Sequence, residues 1–309
     1  MNIGGWKGMK VFKIVIWSVI LIILCSILIF FLTNGSSSFI NLFARKEGKI
    51  VYDRTVQEEI NNISVNWKSG DLNIYKSEDD NIRIVQKSAY DLKEDQLIQI
   101  SIDNNTLTLK EGKSSFGFFI FGFGTRPSDV DVYLPEKEYD SISLKLTSGD
   151  ITGNNVDSKN LDCNVTSGTV DISNINSDNV SFKLTSGDIK NNNIVCNKLT
   201  AHTTSGRINM NGSMKNMDLS VTSGEIDVDN EVLPDSLNAQ TTSGNIDIKI
   251  PENSGFSVEY KVTSGNFKSD FDLYSNMNDN SKTKTAKYKD GGNTFTFKVT
   301  SGNINLNRK

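Results

Sequence analysis

The stretch "VTSGEIDV", residues 221–228, reads as the end of one β-strand, a tight corner and the start of another. Its tripeptide Thr-Ser-Gly occurs eight times in this chain of 309 residues, starting at residues 147, 166, 185, 204, 222, 242, 263 and 300. Successive copies lie 18 to 21 residues apart, except for the last two, which are 37 residues apart. A nearly constant period of this length is typical of a repeat protein.

Apolar and polar residues alternate before each copy, as Val180, Phe182 and Leu184 show before the copy at 185. Another apolar residue, here Ile189, stands two positions after each glycine. Successive side chains of a strand point to opposite faces, so this pattern predicts a half-buried strand on each side of the corner. One repeat is too small to bury its own apolar face, and copies must stack. The sequence therefore predicts an all-β fold, a single parallel β-solenoid (β-helix) whose coils are the repeats.

The tripeptide has a structural role in this interpretation. Glycine adopts backbone angles that other residues avoid, as a sharp corner requires. The alternation predicts that serine faces inward, where its hydroxyl bonds to the corner backbone, and that threonine faces outward. The predicted structural corners are Gly149, Gly168, Gly187, Gly206, Gly224, Gly244, Gly265 and Gly302.

Residues 14–32, "IVIWSVILIILCSILIFFL", contain no charge and no proline, and this length spans a bilayer as a helix. A cleaved signal peptide has a shorter apolar run, and a lipoprotein signal needs a small residue where Leu24 precedes Cys25. Lys7 and Lys10 precede the run, and basic flanks stay cytoplasmic. The sequence therefore predicts a single-pass protein of the cell membrane with a cytoplasmic N-terminus and an extracytoplasmic C-terminal domain.

The predicted organisation has five parts. They are a cytoplasmic tail at 1–13, a transmembrane helix at 14–32, a linker at 33–48, an irregular N-terminal β part at 49–140 and the repeat solenoid at 141–309. Without the first 33 residues the chain holds 30 basic and 37 acidic residues, a net charge of −7. Such a charge argues against nucleic acid as a partner. Cys163 and Cys196 lack the regular spacing of a disulfide framework, and no structural disulfide is expected.

Several segments together resemble a known family. They are the basic-flanked apolar run, a Gly-Asp strand near residue 70, "DVDVYLP" at 129–135, the recurring "TSGDI" and the final "TSGNINL". With these the chain resembles the bacterial "putative adhesin" family of β-strand repeat proteins, a domain of unknown function with membrane-anchored members encoded beside cell-envelope stress regulators. The resemblance covers about residues 50–309 and implies a surface-facing β-solenoid linked with envelope homeostasis. The family has no established catalytic residues to carry over.

Catalytic and metal sites are weakly indicated. His202 is the only histidine and falls in an outward column of the repeat. Asp188 and Glu225 could approach the separation of a glycosidase pair, but Arg207 is predicted between them. The glycine-rich nonapeptide of calcium solenoids is absent. We therefore predict no catalytic residue, metal site, cofactor or small-molecule substrate.

Residues 114–126, "SSFGFFIFGFGTR", fall outside the repeat and would be apolar on both faces of a strand. One interpretation is a segment that covers an open end or side of the solenoid. The other is an exposed loop that contacts the membrane surface or an envelope or membrane-protein partner. The candidate interaction residues are Phe116, Phe118, Phe119, Ile120, Phe121 and Phe123.

The sequence thus predicts a non-enzymatic scaffold, sensor or adhesin associated with cell-envelope stress and held in the membrane by residues 14–32. Two alternatives remain open. One is a carbohydrate-active solenoid enzyme, which would need a cleft with clustered carboxylates and basic residues. The other is a structural protein that polymerises end to end through the solenoid edges.

Overall fold

The computed structural model describes residues 48–113, 117–119, 122–124, 127–275 and 283–309. These residues form β-strands joined by turns and short loops, which confirms the all-β class. No helix in these ranges is long and apolar enough to cross a membrane. The predicted anchor at 14–32 lies outside them.

The strands fall into three groups along the chain. The N-terminal group is β1 Lys49–Val56, β2 Asn62–Ser69, β3 Leu72–Lys76, β4 Ile82–Ser88, β5 Gln99–Asp103, β6 Thr106–Lys110, β7 Gly117–Phe119, β8 Gly122–Gly124 and β9 Ser128–Leu134, with a 3-10 turn at Glu94–Gln96. The central group is β10 Tyr139–Ser148, β11 Ile151–Ser167, β12 Val170–Ser186, β13 Ile189–Ser205, β14 Ile208–Ser223, β15 Ile226–Asn230, β16 Ser236–Ser243 and β17 Ile246–Ile250. The C-terminal group is β18 Phe256–Ser264, β19 Phe267–Ser269, β20 Tyr274–Ser275, β21 Lys284–Tyr288, β22 Asn293–Ser301 and β23 Ile304–Arg308.

Consecutive repeats pair as parallel strands, and each residue lies opposite its equivalent in the next repeat. Phe182 in β12 is opposite Cys163 in β11 and Ala201 in β13. Every strand named above except β7 and β8 belongs to this one sheet. The parallel, in-register pairing follows from the repeat, because equivalent residues must share one face when copies stack.

Each long strand changes direction within the repeat. In β12, buried residues alternate with more exposed ones from 170 to 172, from 175 to 177 and from 180 to 184. Between these runs lie pairs of neighbouring residues that are not buried, at 173–174 and 178–179. A straight strand cannot expose two neighbours on one face, so the backbone bends there. Together with the Thr-Ser-Gly corner, these positions divide β11, β12 and β13 into three stretches of alternating burial.

The core is one continuous cluster of buried apolar side chains within residues 48–309, which form one compact unit. The inward columns predicted from the alternation are buried in the central coils, for example Val180, Phe182 and Leu184. Two residues of the outermost C-terminal strand, Tyr260 and Val262, are only partly buried. The unit therefore carries its own core and can be studied without the N-terminal segment.

The order of coils in space differs from their order in the chain at both ends. Strand β22 pairs with β16 on one side and β18 on the other, so the last Thr-Ser-Gly copy lies between the two copies that precede it in the sequence. At the other end β2 lies between β6 and β10, and β3 lies between β9 and β11. The outermost coil at the N-terminal end is therefore the second coil in the sequence. The outermost coil at the C-terminal end is the second to last.

Candidate functional site

The Thr-Ser-Gly corners form a column along the stack. The eight predicted corner glycines have φ between +131° and +143°, a region that favours glycine. A Cβ atom at Gly187 would collide with the carbonyl oxygen of Gly168 in the neighbouring coil. Glycine is needed at the corner for two reasons, the backbone angle and the close approach of the next coil.

Backbone hydrogen bonds join each corner to the next. The N–H of Gly187 donates to the carbonyl of Ser205 at 2.8 Å, and the N–H of Gly168 donates to the carbonyl of Ser186 at 3.0 Å. The corner serines and threonines are all exposed. The expectation that serine faces inward was wrong, because the alternation stops at the bend. The serine carbonyl, rather than its hydroxyl, holds the corner.

An Asp or Asn that directly follows a corner glycine has a structural role that the sequence did not indicate. An Asp188 carboxylate oxygen accepts the backbone N–H of Arg207 at 2.9 Å, and Asp150 accepts that of Thr169 at 2.7 Å. Asn245 accepts the N–H of Asn303 in the same way at 3.0 Å. These side chains link one corner to the next coil. The Asp or Asn directly after five of the eight glycines is the signal that could have predicted these bonds.

The suspected glycosidase carboxylates are separated by a cation, as the sequence suggested. The backbone N–H of Arg207 donates to Asp188, and its guanidinium Nε lies 3.2 Å from a carboxylate oxygen of Glu225. Within the ranges that the structure covers, no group of three or more His, Cys, Asp or Glu residues is arranged to hold a metal ion. The corner carboxylates therefore serve the backbone and a surface ion pair.

A second bend uses asparagine. Asn155, Asn174 and Asn193 have φ of 58°, 53° and 66°, the left-handed region that asparagine tolerates better than most residues. The Asn174 side chain donates to Asn154 at 2.7 Å, and Asn193 donates to Asn174 at 2.8 Å. Sequence reasoning saw only an Asn-rich return here. The 19-residue spacing of these asparagines was the available signal.

The histidine and the thiols lie in ordinary structural positions. His202 is 41% exposed, and its Nε2 atom lies 3.6 Å from a carboxylate oxygen of Asp218. Cys163 and Cys196 are buried free thiols. Burial raises the pKa of both, to about 12 for Cys196. Thiols held in the protonated form by burial are poor nucleophiles.

The phenylalanine-rich segment forms a small hairpin of its own. Strands β7 and β8 are antiparallel, with Phe118 opposite Phe123 and Phe119 opposite Gly122, and they make a sheet separate from the stack. The remaining candidates, Phe116, Ile120 and Phe121, lie outside the described residues. We call the pair of strands β7 and β8 the Phe hairpin.

The Phe hairpin occupies the place of a corner in the N-terminal coil. This outermost coil consists of β6 and β9, and the hairpin lies between these strands in the chain. Ser128 packs against the Gly70 corner, where a Cβ on Gly70 would meet the Ser128 carbonyl. Asp129 accepts the backbone N–H of Asp71 at 2.8 Å, as the residues after glycine do in later coils. The terminal coil thus keeps the corner contacts but replaces the Thr-Ser-Gly turn with the hairpin.

Both chain segments that lead to the Phe hairpin are tied to the stack. On one side Glu111 accepts the backbone N–H of Lys68 at 2.8 Å, and burial raises the pKa of the Glu111 carboxyl. On the other side the buried indole of Trp67 donates to the Ser128 carbonyl at 2.7 Å, and Gln86 donates to the Ser128 hydroxyl at 3.0 Å. Glu111 and Ser128 are therefore held against the neighbouring coil on either side of the hairpin segment.

Comparison with solved structures finds several matches at low sequence identity. A "putative cell adhesion protein" from Clostridium sporogenes is 14% identical with a TM-score of 0.33, covering 84% of this chain and all of the other. A "putative lipid binding protein" from Parabacteroides distasonis is 12% identical with a TM-score of 0.47, covering 84% and 96%. A "putative adhesin" from Bacteroides fragilis is 17% identical with a TM-score of 0.39, covering 84% and 97%.

A comparison with curated proteins gave no match. The family model described as Toastrack DUF4097 matches residues 60–307, most of the chain. This match confirms the resemblance to a β-strand repeat domain of unknown function that the Thr-Ser-Gly pattern suggested. The chain belongs to the Toastrack DUF4097 family.

Proposed function

We propose that this chain is a single-pass membrane protein with an extracytoplasmic, closed β-solenoid that serves as a non-enzymatic scaffold, sensor or adhesin of the cell envelope. The apolar run at 14–32 and its basic flank support the anchor and its orientation. The bends within the repeats and the continuous core support the closed solenoid. The association with envelope stress rests on the resemblance alone.

The observation that carries the proposal is the position of the Phe hairpin. The outer edges of the terminal coil are already paired, β6 with β5 and β9 with β4, both antiparallel. A hairpin is therefore not needed there to cover an unpaired edge. The five phenylalanines and one isoleucine of residues 116–123 are better suited to a contact with another molecule.

A non-enzymatic role is supported by the hydrogen bonds of the carboxylates that follow the corner glycines. The corner carboxylates of Asp150 and Asp188 accept backbone N–H groups of the next coil. A catalytic pair would need one carboxyl group in a pocket that raises its pKa and room for the substrate. The geometry favours a binding surface over a reaction centre.

The test uses the full-length chain in its own cells. Membrane fractionation and protease shaving of cells without a wall should show a membrane-bound protein cut near the linker at 33–48, since an exposed polar segment is readily cleaved. Crosslinking followed by purification should then recover an envelope partner. A soluble product that lacks residues 1–35 would contradict the anchor.

A hairpin variant and a matched control locate the contact. Changing Phe118, Phe119 and Phe121 to Ser should abolish partner recovery and leave the melting temperature of residues 48–309 nearly unchanged, because an exposed apolar patch contributes to association rather than folding. Changing Thr185 and Thr204, two exposed corner residues, to Ser should alter neither. A large fall in melting temperature with unchanged partner recovery would identify the hairpin as a cap.

A further inference from the structure

A groove crosses the middle of the three stretches in the central coils. In β11, β12, β13 and β14 the outward residue of this stretch is Asp157, Asn176, Val195 and Ser213 in turn. These four residues lie opposite one another from coil to coil. They therefore form a single column, and this column is the floor of the groove.

Two adjoining depressions make up the groove. One has a volume of about 190 Å³ and the other a volume of about 360 Å³, and Asp157 and Asn176 line both of them. Pro135 and Lys137, from the connection between β9 and β10, line the larger depression. Val232, from the connection between β15 and β16, lines the smaller one. The groove thus extends along the coils between these two connections, and its four floor positions span about 14 Å.

The floor and one wall carry amide and carboxylate groups that hydrogen bonds hold in place. The Asn176 amide donates to an Asp157 carboxylate oxygen at 3.2 Å. In the wall formed by the asparagine bend, Asn174 donates to Asn154 at 2.7 Å and accepts from Asn193 at 2.8 Å. An amide has two N–H donors, and each of its acceptor oxygens has two lone pairs, so these bonds use only part of the available capacity. Side chains that are already ordered lose little conformational entropy when a ligand binds.

An aliphatic side chain interrupts the polar floor. Val195 is 46% exposed, and it lies between Asn176 and Ser213 in the column. A pyranose sugar has hydroxyl groups around its edge and an apolar face of C–H groups. Hydrogen-bonding side chains beside one exposed aliphatic group match both parts of such a ring.

The charges around the groove disfavour an anionic ligand. Its lining includes more carboxylates than ammonium groups, namely Glu136, Glu138, Asp157 and Asp178 against Lys137 and Lys215. Like charges brought together at a binding surface cost free energy. The groove therefore favours a neutral ligand over an acidic polysaccharide or another polyanion.

The strands beneath the groove are not open to the addition of a peptide strand. Along this stretch β12 pairs with both β11 and β13, and β13 pairs with both β12 and β14. A peptide that adds to a sheet gains its affinity from an unpaired strand edge. Recognition in this groove must come from side chains, which suits the hydroxyl groups of a sugar better than the backbone of a peptide.

We propose that this groove binds a neutral oligosaccharide in an extended conformation. Asp157 and Asn176 bond to sugar hydroxyls, and Val195 packs against the apolar face of one ring. A hexose unit in an extended chain has nearly the length of the coil spacing, so the four floor positions accommodate about three to four units. The inference goes beyond the proposed function, since this site needs neither the anchor nor the Phe hairpin.

The experiment exposes residues 48–309 to a printed array of neutral oligosaccharides, acidic oligosaccharides and extended peptides. We expect retention of neutral chains of at least about three units and no retention of single sugars, because a single ring fills only part of the column. Isothermal titration calorimetry with the best-retained chain then gives the Kd of the parent and of each variant.

A double variant and a matched control locate the site. Asp157→Ala combined with Asn176→Ala should raise the Kd at least about tenfold, because the hydrogen bonds of two side chains to the sugar are lost. Asp171→Ala combined with Asn209→Ala removes the same two residue types from another exposed column and should change the Kd less than about twofold. Circular dichroism checks that both double variants are folded.

A fluorescence measurement keeps the test decisive if the double variant is unstable. Residues 48–309 contain one tryptophan, Trp67, which is buried. The emission of Val195→Trp should shift when the retained chain is added. The emission of Ile50→Trp, at an exposed position outside the groove, should not. An equal response of the two tryptophan variants would refute the assigned site.

Four other outcomes would overturn the inference. They are no retention of any neutral chain, stronger retention of acidic chains or peptides, equal retention of single sugars and longer chains, and an equal rise in Kd for the test and control variants. None of these outcomes bears on partner recovery by crosslinking in cells, which tests the proposed function separately.

Discussion

Replacing Gly187 with valine tests the corner at its most constrained point. A β-branched residue at φ of 134° costs roughly 1–3 kcal/mol in backbone strain. Its Cβ also collides with the Gly168 carbonyl oxygen, so the two coils must separate locally. This separation weakens the bond from Gly168 to Ser186, worth about 0.5–1.5 kcal/mol. We expect a total loss of about 1.5–4.5 kcal/mol in the free energy of unfolding.

Urea unfolding of residues 48–309, followed by circular dichroism, measures this loss. The controls are Lys183→Gln and His202→Gln, which change outward side chains of the neighbouring coils and should stay within about 0.5 kcal/mol. The loss expected for Gly187→Val is a large share of the free energy of unfolding of a typical domain, about 5–15 kcal/mol. This variant should therefore unfold at a much lower urea concentration than the parent. Equal losses of stability for Gly187→Val, Lys183→Gln and His202→Gln would refute the assignment of Gly187 to the corner and of the other two side chains to the outer face.

Three further predictions concern individual contacts. Asn174→Ala should lower the free energy of unfolding by about 1 kcal/mol, because alanine tolerates the left-handed backbone poorly. Lys87→Met should lower it by about 1–3 kcal/mol, because it leaves the buried Asp131 carboxylate without its cation. Cys163 and Cys196 should resist thiol reagents at neutral pH until the protein unfolds, because burial raises their pKa. Urea unfolding measures the first two, and labelling followed by mass spectrometry measures the third.

Controls separate these causes from general damage. Asn176→Ala removes an exposed asparagine of the same coil that is not in the left-handed region, and an equal loss there would contradict the role of Asn174. Lys183→Met removes an exposed lysine of the array, and a similar loss would contradict the buried pair. Rapid labelling of both cysteines in the folded protein would show that their burial is not maintained.

The pH dependence of the Lys87 pair has a defined sign. The hydrogen bond to Asp131 raises the pKa of Lys87 above its ordinary value. A raised lysine pKa contributes stability below the unfolded value near 10.4, and this contribution is lost as the pH rises through the folded value. The parent should therefore lose more stability than Lys87→Met between neutral and strongly alkaline pH. Parallel pH profiles of the two proteins would contradict this.

The repeat made the interior of the array predictable. Alternation placed Phe182 and its equivalents in the core because a strand has only two faces, and the glycine spacing located the corners. The serine side chains were misplaced because alternation does not continue through a bend. The sites at the N-terminal end were only partly predictable. Ser128 and Asp129 take the place of a corner without a Thr-Ser-Gly motif, so only their contacts with the Gly70 corner reveal this role.

The order of the coils could not be read from the spacing. The copies at 242, 263 and 300 have nearly the same motif, so any of them could pair with any other. In the structure β22 pairs with both β16 and β18, and β21 pairs with the other side of β18. Long-range pairing of this kind depends on connections that local patterns do not encode.

The coils that pair out of sequence order lie only at the two ends of the stack, so the number of coils between them can change. Each end is completed by its own segments, so neither depends on how many coils separate them. Inserting one 19-residue coil between β11 and β14 would raise the far end by about 4.8 Å and leave both ends intact. Duplication or loss of a repeat would thus change the length of the stack in steps of about 4.8 Å without rebuilding either end.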